Sequence, residues 1–402
     1  MQSESKLLYK VGIDIGSTTV KTVILDKDDR IVFKSYERHL SQTFEALKRN
    51  FTYVKNELAD KTFKLTFTGS AAMGPASRAS FPFEQEVIAC TAAVRKLIPD
   101  TDTVIELGGE DAKITYLSGA TEQRMNGACA GGTGAFIDQM AALLHTDAAG
   151  LNTLATAGKN IHPIASRCGV FAKTDIQSLM NNGISREDIA LSIFQAVVIQ
   201  TIGNLAQGRP IKGRTAFLGG PLHFLPRLKQ CFIDTLHLSK DEIIEVQDAN
   251  YFVACGAALN EAAEIITADE ALKRLKELPP EKKTETSSMP ALFTSDEEYE
   301  DFKRRHNPDQ VPRGELKSYK GPLYVGIDAG STTTKVALVG EDGSLLYSFY
   351  DNNNGSTIAT AIRAMKEIRD ELPEKARIAW SCSTGYGEAL LKAALMLDEG
   401  EV

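Results

Sequence analysis

Apolar and polar positions alternate in blocks over roughly the first 268 residues. Segments with apolar residues three or four apart, the spacing of amphipathic helices, lie between short apolar runs. The clearest helical segment begins at Ser185, has Asp188 three residues later as in a capping box, and stops near Gly208. The apolar runs that we interpret as strands are 8–15, 64–68, 103–107 and 215–218. Strands that alternate with helices predict an α/β fold.

One strand-and-turn segment occurs twice. Residues 11–21 read Val-Gly-Ile-Asp-Ile-Gly-Ser-Thr-Thr-Val-Lys, and residues 325–335 read Val-Gly-Ile-Asp-Ala-Gly-Ser-Thr-Thr-Thr-Lys. Such a turn directs backbone N–H groups and hydroxyls at one point, which suits phosphate oxygens, and its Asp can hold Mg²⁺ through water. A single copy could be an ordinary surface hairpin, since turns of Gly, Ser and Thr are common. Because the segment recurs in the same apolar context, we interpret both copies as nucleotide-phosphate loops.

The repeat suggests a division of the chain into three parts. Residues 1–268 form one complete unit in this interpretation. Residues 269–320 are rich in Lys, Glu, Asp, Pro and Ser, which favours a solvated, partly helical connector, with docking of a partner as the alternative. Residues 321–402 repeat the phosphate loop and a later Ser-Thr-Gly-Tyr-Gly turn, but no later motif of the first unit. We therefore expect an incomplete second copy that cannot be a complete nucleotide site.

Charge and cysteine content narrow the class of protein. The formal net charge of −8 argues against a protein that binds nucleic-acid phosphates. Six cysteines scattered over 402 residues do not resemble a disulfide framework. No run of about eighteen apolar residues is present, and the first residues lack a signal-peptide core. We expect a cytoplasmic protein with reduced thiols and with neither a nucleic-acid nor a membrane partner.

A second glycine turn lies between two apolar runs at residues 105–114. The first run ends at Gly108 and Gly109, which are followed by the acidic residues Glu110 and Asp111. Carboxylates at a tight turn opposite a phosphate loop are what Mg²⁺ and an attacking water require. This turn is therefore the candidate catalytic segment.

A third glycine pair ends the strand 215–218, where a flat ring could approach the backbone. The order of the three motifs resembles the actin-like ATPase superfamily, which includes sugar kinases and Hsp70-type chaperones. The resemblance implies ATP and Mg²⁺ bound between two similar lobes, here followed by the truncated copy. It assigns the first phosphate motif to Asp14, Gly16, Ser17, Thr18, Thr19 and Lys21, and the second to Gly108, Gly109, Glu110 and Asp111. It places the adenosine over Gly219 and Gly220.

Two cysteines stand immediately before predicted helices. Cys129 lies in the glycine-rich segment 126–134, and Cys168 lies in the segment 165–175. A helix N-terminus lowers the pKa of a thiol and stabilises an anionic cluster. Two thiolates are too few for a four-iron cluster, but a twofold dimer doubles them to four. Burial in a core is the competing interpretation for these two, and the one that we adopt for Cys90, Cys231, Cys255 and Cys382.

The segments Cys129–Gly134 and Cys168–Ala172 resemble motifs of the ATP-dependent activators of 2-hydroxyacyl-CoA dehydratases, the family that includes the ATPase subunits of benzoyl-CoA reductase. In these relatives Gln stands at the position of Glu110. The resemblance adds Gly132, Thr133 and Gly134 to the cofactor-binding residues and assigns catalysis to Asp14, Glu110 and Asp111. It assigns the iron–sulfur ligands to Cys129 and Cys168, and the Mg²⁺ ligands to Asp14 and Asp111.

The function implied by this resemblance is ATP-driven electron transfer. Ferredoxin or flavodoxin would reduce a [4Fe-4S] cluster shared by two subunits of a homodimer, and one electron would pass to an iron–sulfur dehydratase. The tandem arrangement resembles the large multidomain activases, in which a complete second copy could supply the other cysteine pair. Two other functions stay open at this point. A small-molecule kinase would need a substrate pocket with a catalytic Asp, and an Hsp70-like nucleotide switch would be colourless.

Overall fold

The computed structural model describes residues 9–127, 131–166, 168–278, 289–330, 332–374 and 376–401. The chain forms two compact units, Met1–Ala172 with Ala190–Pro280, and Lys173–Ile189 with Glu281–Val402. The strands are β1 Tyr9–Ile15, β2 Thr19–Leu25, β3 Ile31–Arg38, β4 Phe63–Thr68, β5 Thr103–Leu107, β6 Ala112–Tyr116, β7 Glu122–Met125, β8 Thr215–Leu218, β9 Ile243–Ile244, β10 Glu264–Ile266, β11 Pro322–Ala329, β12 Thr333–Gly340, β13 Leu345–Asn352, β14 Arg377–Thr384 and β15 Glu399–Glu401. The α-helices are α1 Thr43–Leu58, α2 Met73–Arg78, α3 Glu86–Leu97, α4 Gly134–Leu143, α5 Ala148–Ala157, α6 Gly169–Asn181, α7 Arg186–Ala206, α8 Gly220–Phe224, α9 Pro226–Leu236, α10 Phe252–Ala258, α11 Ala268–Lys276, α12 Asp296–His306, α13 Thr357–Glu371 and α14 Glu388–Leu395.

The first unit contains two sheets built on one scheme. The first sheet has the order β10-β4-β1-β2-β3, in which β1 is antiparallel to β2 and parallel to β4. The second has the order β7-β6-β5-β8-β9, in which β5 is antiparallel to β6 and parallel to β8. Each sheet thus begins with an antiparallel meander and continues with a parallel strand. The predicted α/β fold of two similar lobes is confirmed.

The second unit repeats the scheme a third time. Its sheet has the order β13-β12-β11-β14-β15, with β11 antiparallel to β12 and parallel to β14. One face packs against α13 and α14 in a core that includes Val325, Ile327 and Leu391. In the described residues the repeated motif is thus part of one further lobe of the same type.

Helix α10 occupies the centre of the first unit. All seven of its residues are buried, and it contacts β1, β2, β4 and α3. A Cβ on Gly12 of β1 would lie only 1.9 Å from the carbonyl oxygen of Ala254. The other face of the first sheet carries α1 and also α11, whose Ala268, Ala271 and Leu275 join that core. Helix α11 thus extends the folded first unit into the segment that composition marks as a connector.

Helix α7 is the element that the sequence predicts most directly. Its first turn is capped by Ser185, whose Oγ accepts a hydrogen bond of 3.2 Å from the Asp188 N–H. The helix ends just before Gly208, which has φ +82° as expected at a helix terminus. By length and composition alone α7 could cross a membrane, but 72% of its most apolar window is buried inside the protein, as in a core helix.

Candidate functional site

A cleft lies between the two sheets of the first unit. Its empty volume is about 900 Å³, part of which is open to solvent. Strand ends and helix starts from both lobes converge there, as is usual for ligand sites in α/β folds. The predicted site residues that line the cleft are Asp14, Gly16, Ser17, Thr18, Thr19, Lys21, Gly108, Gly109, Asp111, Gly134, Gly219 and Gly220. The structure therefore brings all three glycine motifs to one place.

The turn between β1 and β2 is closed by a hydrogen bond of 2.9 Å from the Gly16 N–H to the Thr19 carbonyl. Behind the turn, Lys21 Nζ lies 2.7 Å from Asp14 Oδ2, and both side chains are largely buried. Burial raises the pKa of Asp14, and the charge of Lys21 partly offsets this. Burial lowers the pKa of Lys21, but the Asp14 charge outweighs burial, so the net shift is upward. The two groups form an ion pair at the base of the turn.

The turn between β5 and β6 lies directly against the first turn. A Cβ on Gly109 would be 2.6 Å from Thr18 Oγ1 and 3.0 Å from Ser17 Oγ, so a side chain there would displace these hydroxyls. The turn itself is closed by a hydrogen bond of 2.7 Å from the Gly108 N–H to the Asp111 carbonyl. Hydroxyls and backbone groups of the two lobes thus face a common space, as binding of a polyphosphate requires.

A buried charge cluster at the floor of the cleft was missed by the sequence analysis. Lys113 Nζ lies 2.5 Å from Glu86 Oε1 and 3.9 Å from Glu106 Oε1. Burial raises the pKa of Glu106. Burial lowers the pKa of Lys113, but the two carboxylates outweigh it and raise this pKa well above its usual range. Glu86 and Glu106 both line the cleft, so they add two carboxylates to those predicted.

The wall opposite the phosphate turns contains an aromatic pair. Tyr36 and Phe224 meet edge to face with ring centroids 5.4 Å apart, and both line the cleft. A Cβ on Gly220 would lie 2.8 Å from the Tyr36 hydroxyl oxygen. The absence of a side chain at Gly220 therefore lets the Tyr36 hydroxyl approach the backbone, and the aromatic pair gives this wall of the cleft flat apolar surfaces of the kind that an adenine base contacts.

Three of the residues predicted to bind the nucleotide or to take part in catalysis do not line this cleft. Glu110 is exposed, and its backbone carbonyl accepts a hydrogen bond of 3.0 Å from Asn126 Nδ2. Gly132 and Thr133 precede α4, and Gly132 faces Thr201 of α7. In contrast, Gly134 at the start of α4 does line the cleft. Gly132 and Thr133 therefore do not line the cleft, and their predicted role in nucleotide binding stays a prediction.

The cysteines fall into two groups. Cys168 is partly exposed, immediately before α6, whereas Cys129 lies outside the described residues. Burial raises the pKa of Cys90 well above its usual range, that of Cys231 to about 11 and that of Cys255 to about 12. These three are core thiols, as predicted, but Cys382 is only partly buried. Within the described ranges no cluster of three His, Cys, Asp or Glu side chains could hold a metal ion.

Comparisons with known proteins agree with this geometry. The chain is 32% identical over 200 residues to the (R)-2-hydroxyglutaryl-CoA dehydratase activating ATPase of Acidaminococcus fermentans, a match that covers 49% of this chain and 76% of that one. The crystal structure of component A of that dehydratase matches 66% of this chain and 99% of its own, with a TM-score of 0.57 and 27% identity.

A second solved structure is the activator of the 2-hydroxyisocaproyl-CoA dehydratase from Clostridium difficile with bound ADPNP. It covers 71% of this chain and all of its own, with a TM-score of 0.54 and 26% identity. The family model described as BadF/BadG/BcrA/BcrD ATPase family matches residues 11–260, more than half of the chain. This chain therefore belongs to the BadF/BadG/BcrA/BcrD ATPase family.

Proposed function

We propose that this protein is an ATP-hydrolysing activator of a 2-hydroxyacyl-CoA dehydratase, or of a related acyl-CoA reductase, that donates one electron at low potential to its partner. The observation that carries the proposal is the contact between the Ser17–Thr18 turn and Gly109, which makes one polyphosphate site of two lobes. Two of the relatives described above are named as activators of such dehydratases.

Each group in the cleft has a role in this proposal. Ser17, Thr18 and the backbone of Gly109 bind the phosphates of ATP, and Asp14 and Asp111 would hold Mg²⁺. The ion would neutralise charge that develops on the phosphates. Glu106, buried at the floor of the cleft, accepts a hydrogen bond from the water that attacks the terminal phosphate. Lys113 keeps the Glu106 carboxylate in place.

The adenine end of the nucleotide lies against the glycine pair. Gly219 and Gly220 let the base approach the backbone, and Tyr36 and Phe224 contact its edge and face. Because these groups belong to different elements of the first unit, bound ATP would contact several of these elements at once.

The iron–sulfur part of the proposal rests on two thiols in each subunit. Cys168 satisfies the requirement for an accessible thiol at a helix start, since it is partly exposed and directly precedes α6. A [4Fe-4S] cluster held by Cys129 and Cys168 of two subunits would supply the one-electron donor. Ferredoxin or flavodoxin is the expected reductant. The net charge of −8 and the scattered cysteines support a cytoplasmic location without membrane or nucleic-acid partners.

Anaerobic purification followed by iron, sulfide and absorbance analysis tests the cluster. We expect a brown protein with about four irons per dimer, and loss of iron in Cys129→Ser and Cys168→Ser. Cys382→Ser is the matched control, because Cys382 is also partly exposed but lies in neither of the two cysteine motifs. A colourless, iron-free wild type that still hydrolyses ATP would contradict the proposal and favour a kinase or a nucleotide switch.

Hydrolysis is tested separately by Asp111→Ala. We expect this variant to lose ATPase activity while its iron content stays unchanged, because Asp111 lines the nucleotide cleft rather than the cysteine segments. The measurement is phosphate release on the iron-loaded protein. Unchanged turnover would remove Asp111 from the catalytic assignment, whatever the iron content.

A further inference from the structure

The phosphate turn between β1 and β2 is held from behind by a histidine that does not line the cleft. His39 directly follows β3 and is only 7% exposed, and its Nε2 lies 3.1 Å from the carbonyl oxygen of Gly16. Its backbone N–H donates a second hydrogen bond, of 3.2 Å, to the Thr18 carbonyl. His39 is therefore joined to the turn at two points, once through its side chain and once through its backbone.

The ring of His39 is oriented by the chain that follows it. Its Nδ1 accepts a hydrogen bond of 3.2 Å from the Ser41 N–H. Because a carbonyl oxygen can only accept, the proton of the imidazole is on Nε2, which donates to Gly16. Both ring nitrogens thus have a partner, and together the two hydrogen bonds select one orientation of the ring.

The backbone that supplies the Ser41 N–H is strained. Leu40 and Ser41 have φ of +47° and +63°, in the left-handed region that residues other than Gly, Asn and Asp seldom occupy. Leu40 is 79% exposed, so packing of its side chain does not explain the conformation. Strain of this kind persists where the surrounding structure requires it, and it is common beside ligand sites. Here the left-handed turn brings the Ser41 N–H to the imidazole.

The second copy makes the same contact with a different residue. Asn353 directly follows β13 as His39 directly follows β3, and the strand registers match the two positions. Its Nδ2 donates a hydrogen bond of 2.9 Å to the carbonyl of Gly330, the counterpart of Gly16, and its backbone N–H donates one of 2.8 Å to the Thr332 carbonyl. A side-chain N–H that holds this carbonyl is therefore common to both hairpins, although the residue type differs.

The backbone after this position is also the same in both copies. Asn354 and Gly355 follow Asn353 with φ of +46° and +84°, and both residue types accept positive φ readily. The first copy adopts this conformation with the less suitable Leu40 and Ser41. The contact with the phosphate turn, rather than local preference, therefore accounts for the conformation.

We propose that His39 is a positioning residue for the phosphates of ATP. Its Nε2–H fixes the Gly16 carbonyl, so that the hydroxyls of Ser17 and Thr18 and the N–H groups of the turn keep the orientation in which they bind phosphate oxygens. His39 itself lies behind the turn and acts through it. The inference rests on the function proposed above, because it concerns the same nucleotide site.

The test compares binding of Mg·ADPNP and of adenosine to the full chain by isothermal titration calorimetry. His39→Leu keeps a side chain of similar size but cannot donate a hydrogen bond. In this variant we expect the affinity for ADPNP to fall about tenfold, the equivalent of one net hydrogen bond. The affinity for adenosine should be unchanged, because its proposed contacts are with Gly219 and Gly220 on the opposite wall of the cleft.

Two variants serve as matched controls. His39→Asn introduces the side chain that the second copy has at this position, and it should recover most of the affinity that His39→Leu loses. Asn353→Leu makes the corresponding change in the second copy and should bind ADPNP as wild type does, since the described part of that copy contains a single lobe. If His39→Leu does not fold, His39→Ala takes its place beside His39→Asn.

The outcomes separate a positioning role from a structural one. A residue that only stabilises the fold would, when replaced, lower the thermal midpoint and weaken ADPNP and adenosine binding by the same factor. That result would overturn the inference, and so would wild-type affinity for ADPNP in His39→Leu or an equally large loss in His39→Asn.

Failure of the proposed function has a different signature. A wild type without iron would contradict electron transfer and leave the role of His39 intact, whereas a wild type that does not bind ADPNP would overturn both.

Discussion

The two copies of the phosphate hairpin differ in their surroundings rather than in their local structure. In both, an Asp on the first strand faces a Lys on the second, with N–O distances of 2.7 Å for Asp14–Lys21 and 2.9 Å for Asp328–Lys335. The Asp14 side chain is only 2% exposed, whereas that of Asp328 is 44% exposed. The sequence of the hairpin therefore determines its shape and its ion pair, and the neighbouring elements determine the burial.

The difference arises on one face of each sheet. In the first copy that face is covered by α10, which approaches so closely that only glycine fits at position 12. In the second copy, no atom of the described residues lies within 4 Å of a Cβ built on Gly326. Around Gly326, the side chains of Tyr324 and Trp380 are 39% and 50% exposed. The sheet of the second copy thus has an exposed aromatic face at the place where the sheet of the first copy is covered by a core helix.

A phosphate loop becomes a nucleotide site through the elements that surround it. Glu86, Glu106 and Gly109, which complete the first cleft, come from α3 and from the second sheet of the first unit. The described part of the second copy contains a single lobe and no counterpart of these residues. Four pairs of matched measurements on the two copies test this comparison.

The largest contrast is expected in thiol reactivity. Cys255 is on α10 and is buried, whereas Cys382 pairs with Gly326 on the open sheet. Burial raises the pKa of Cys255 to about 12, so at pH 8 roughly one molecule in ten thousand carries its thiolate. We expect Cys382 to be alkylated at least about a thousandfold faster than Cys255 at pH 8. Cys255 should still react slowly at pH 9, because that pH lies well below the pKa of its thiol.

Peptide mass spectrometry on the folded chain measures both rates in one sample. Labelling in denaturant is the control, since both thiols should then react alike. Comparable rates in the folded chain would mean that the two faces are equally covered, and the comparison would fail.

The second contrast concerns the two lysines. Removal of Lys21 leaves the Asp14 carboxylate buried without its partner, which typically costs about 3–5 kcal/mol in the free energy of unfolding. The Asp328–Lys335 pair is more than one-third exposed, and such pairs contribute about 0–1 kcal/mol. Denaturant unfolding of Lys21→Met and Lys335→Met measures both values. Similar costs for the two variants would show that burial does not distinguish the copies.

Local patterns made part of this structure predictable. The two hairpins, the limits of α7 and the glycine turns follow from residues close together in the sequence, and the structure has them where the patterns place them. The shared cleft was expected from the order of the motifs. Cys129 stays a prediction, because it lies outside the described residues.

The missed residues have partners that are distant in sequence. Lys113 hydrogen-bonds Glu86, which is 27 positions away, and a single sequence does not specify that packing. A signal was available in the charged residues Glu106 and Lys113, each within an apolar strand, since charges are rarely buried without a partner. They stand opposite each other in the β5–β6 register, which only the structure reveals. Gln200 Nε2 approaches Gly131 so closely that a Cβ there would lie 1.9 Å away, and this contact between distant positions was hidden for the same reason.

The third contrast is steric. In Gly12→Ala the new Cβ would collide with the Ala254 carbonyl at 1.9 Å, and backbone atoms can give way only by displacing α10. Overpacking of this kind costs about 1–3 kcal/mol, and we expect the upper end of that range. Gly326→Ala should change the free energy of unfolding by no more than about 0.5 kcal/mol. Denaturant unfolding measures both, and a tolerated Gly12→Ala would show that α10 is not closely packed on β1.

The smallest contrast is functional and concerns the aspartates. An Asp that holds Mg²⁺ through water acts like an outer-shell ligand, whose loss typically weakens metal binding by about 10- to 100-fold. We expect Asp14→Asn to raise by that factor the Mg²⁺ concentration needed for ATP hydrolysis. Asp328→Asn should hydrolyse ATP as wild type does, because in the described residues its hairpin faces no second lobe. If Asp328→Asn were impaired as strongly as Asp14→Asn, the second hairpin would be part of a working nucleotide site, and burial would not be what distinguishes the two copies.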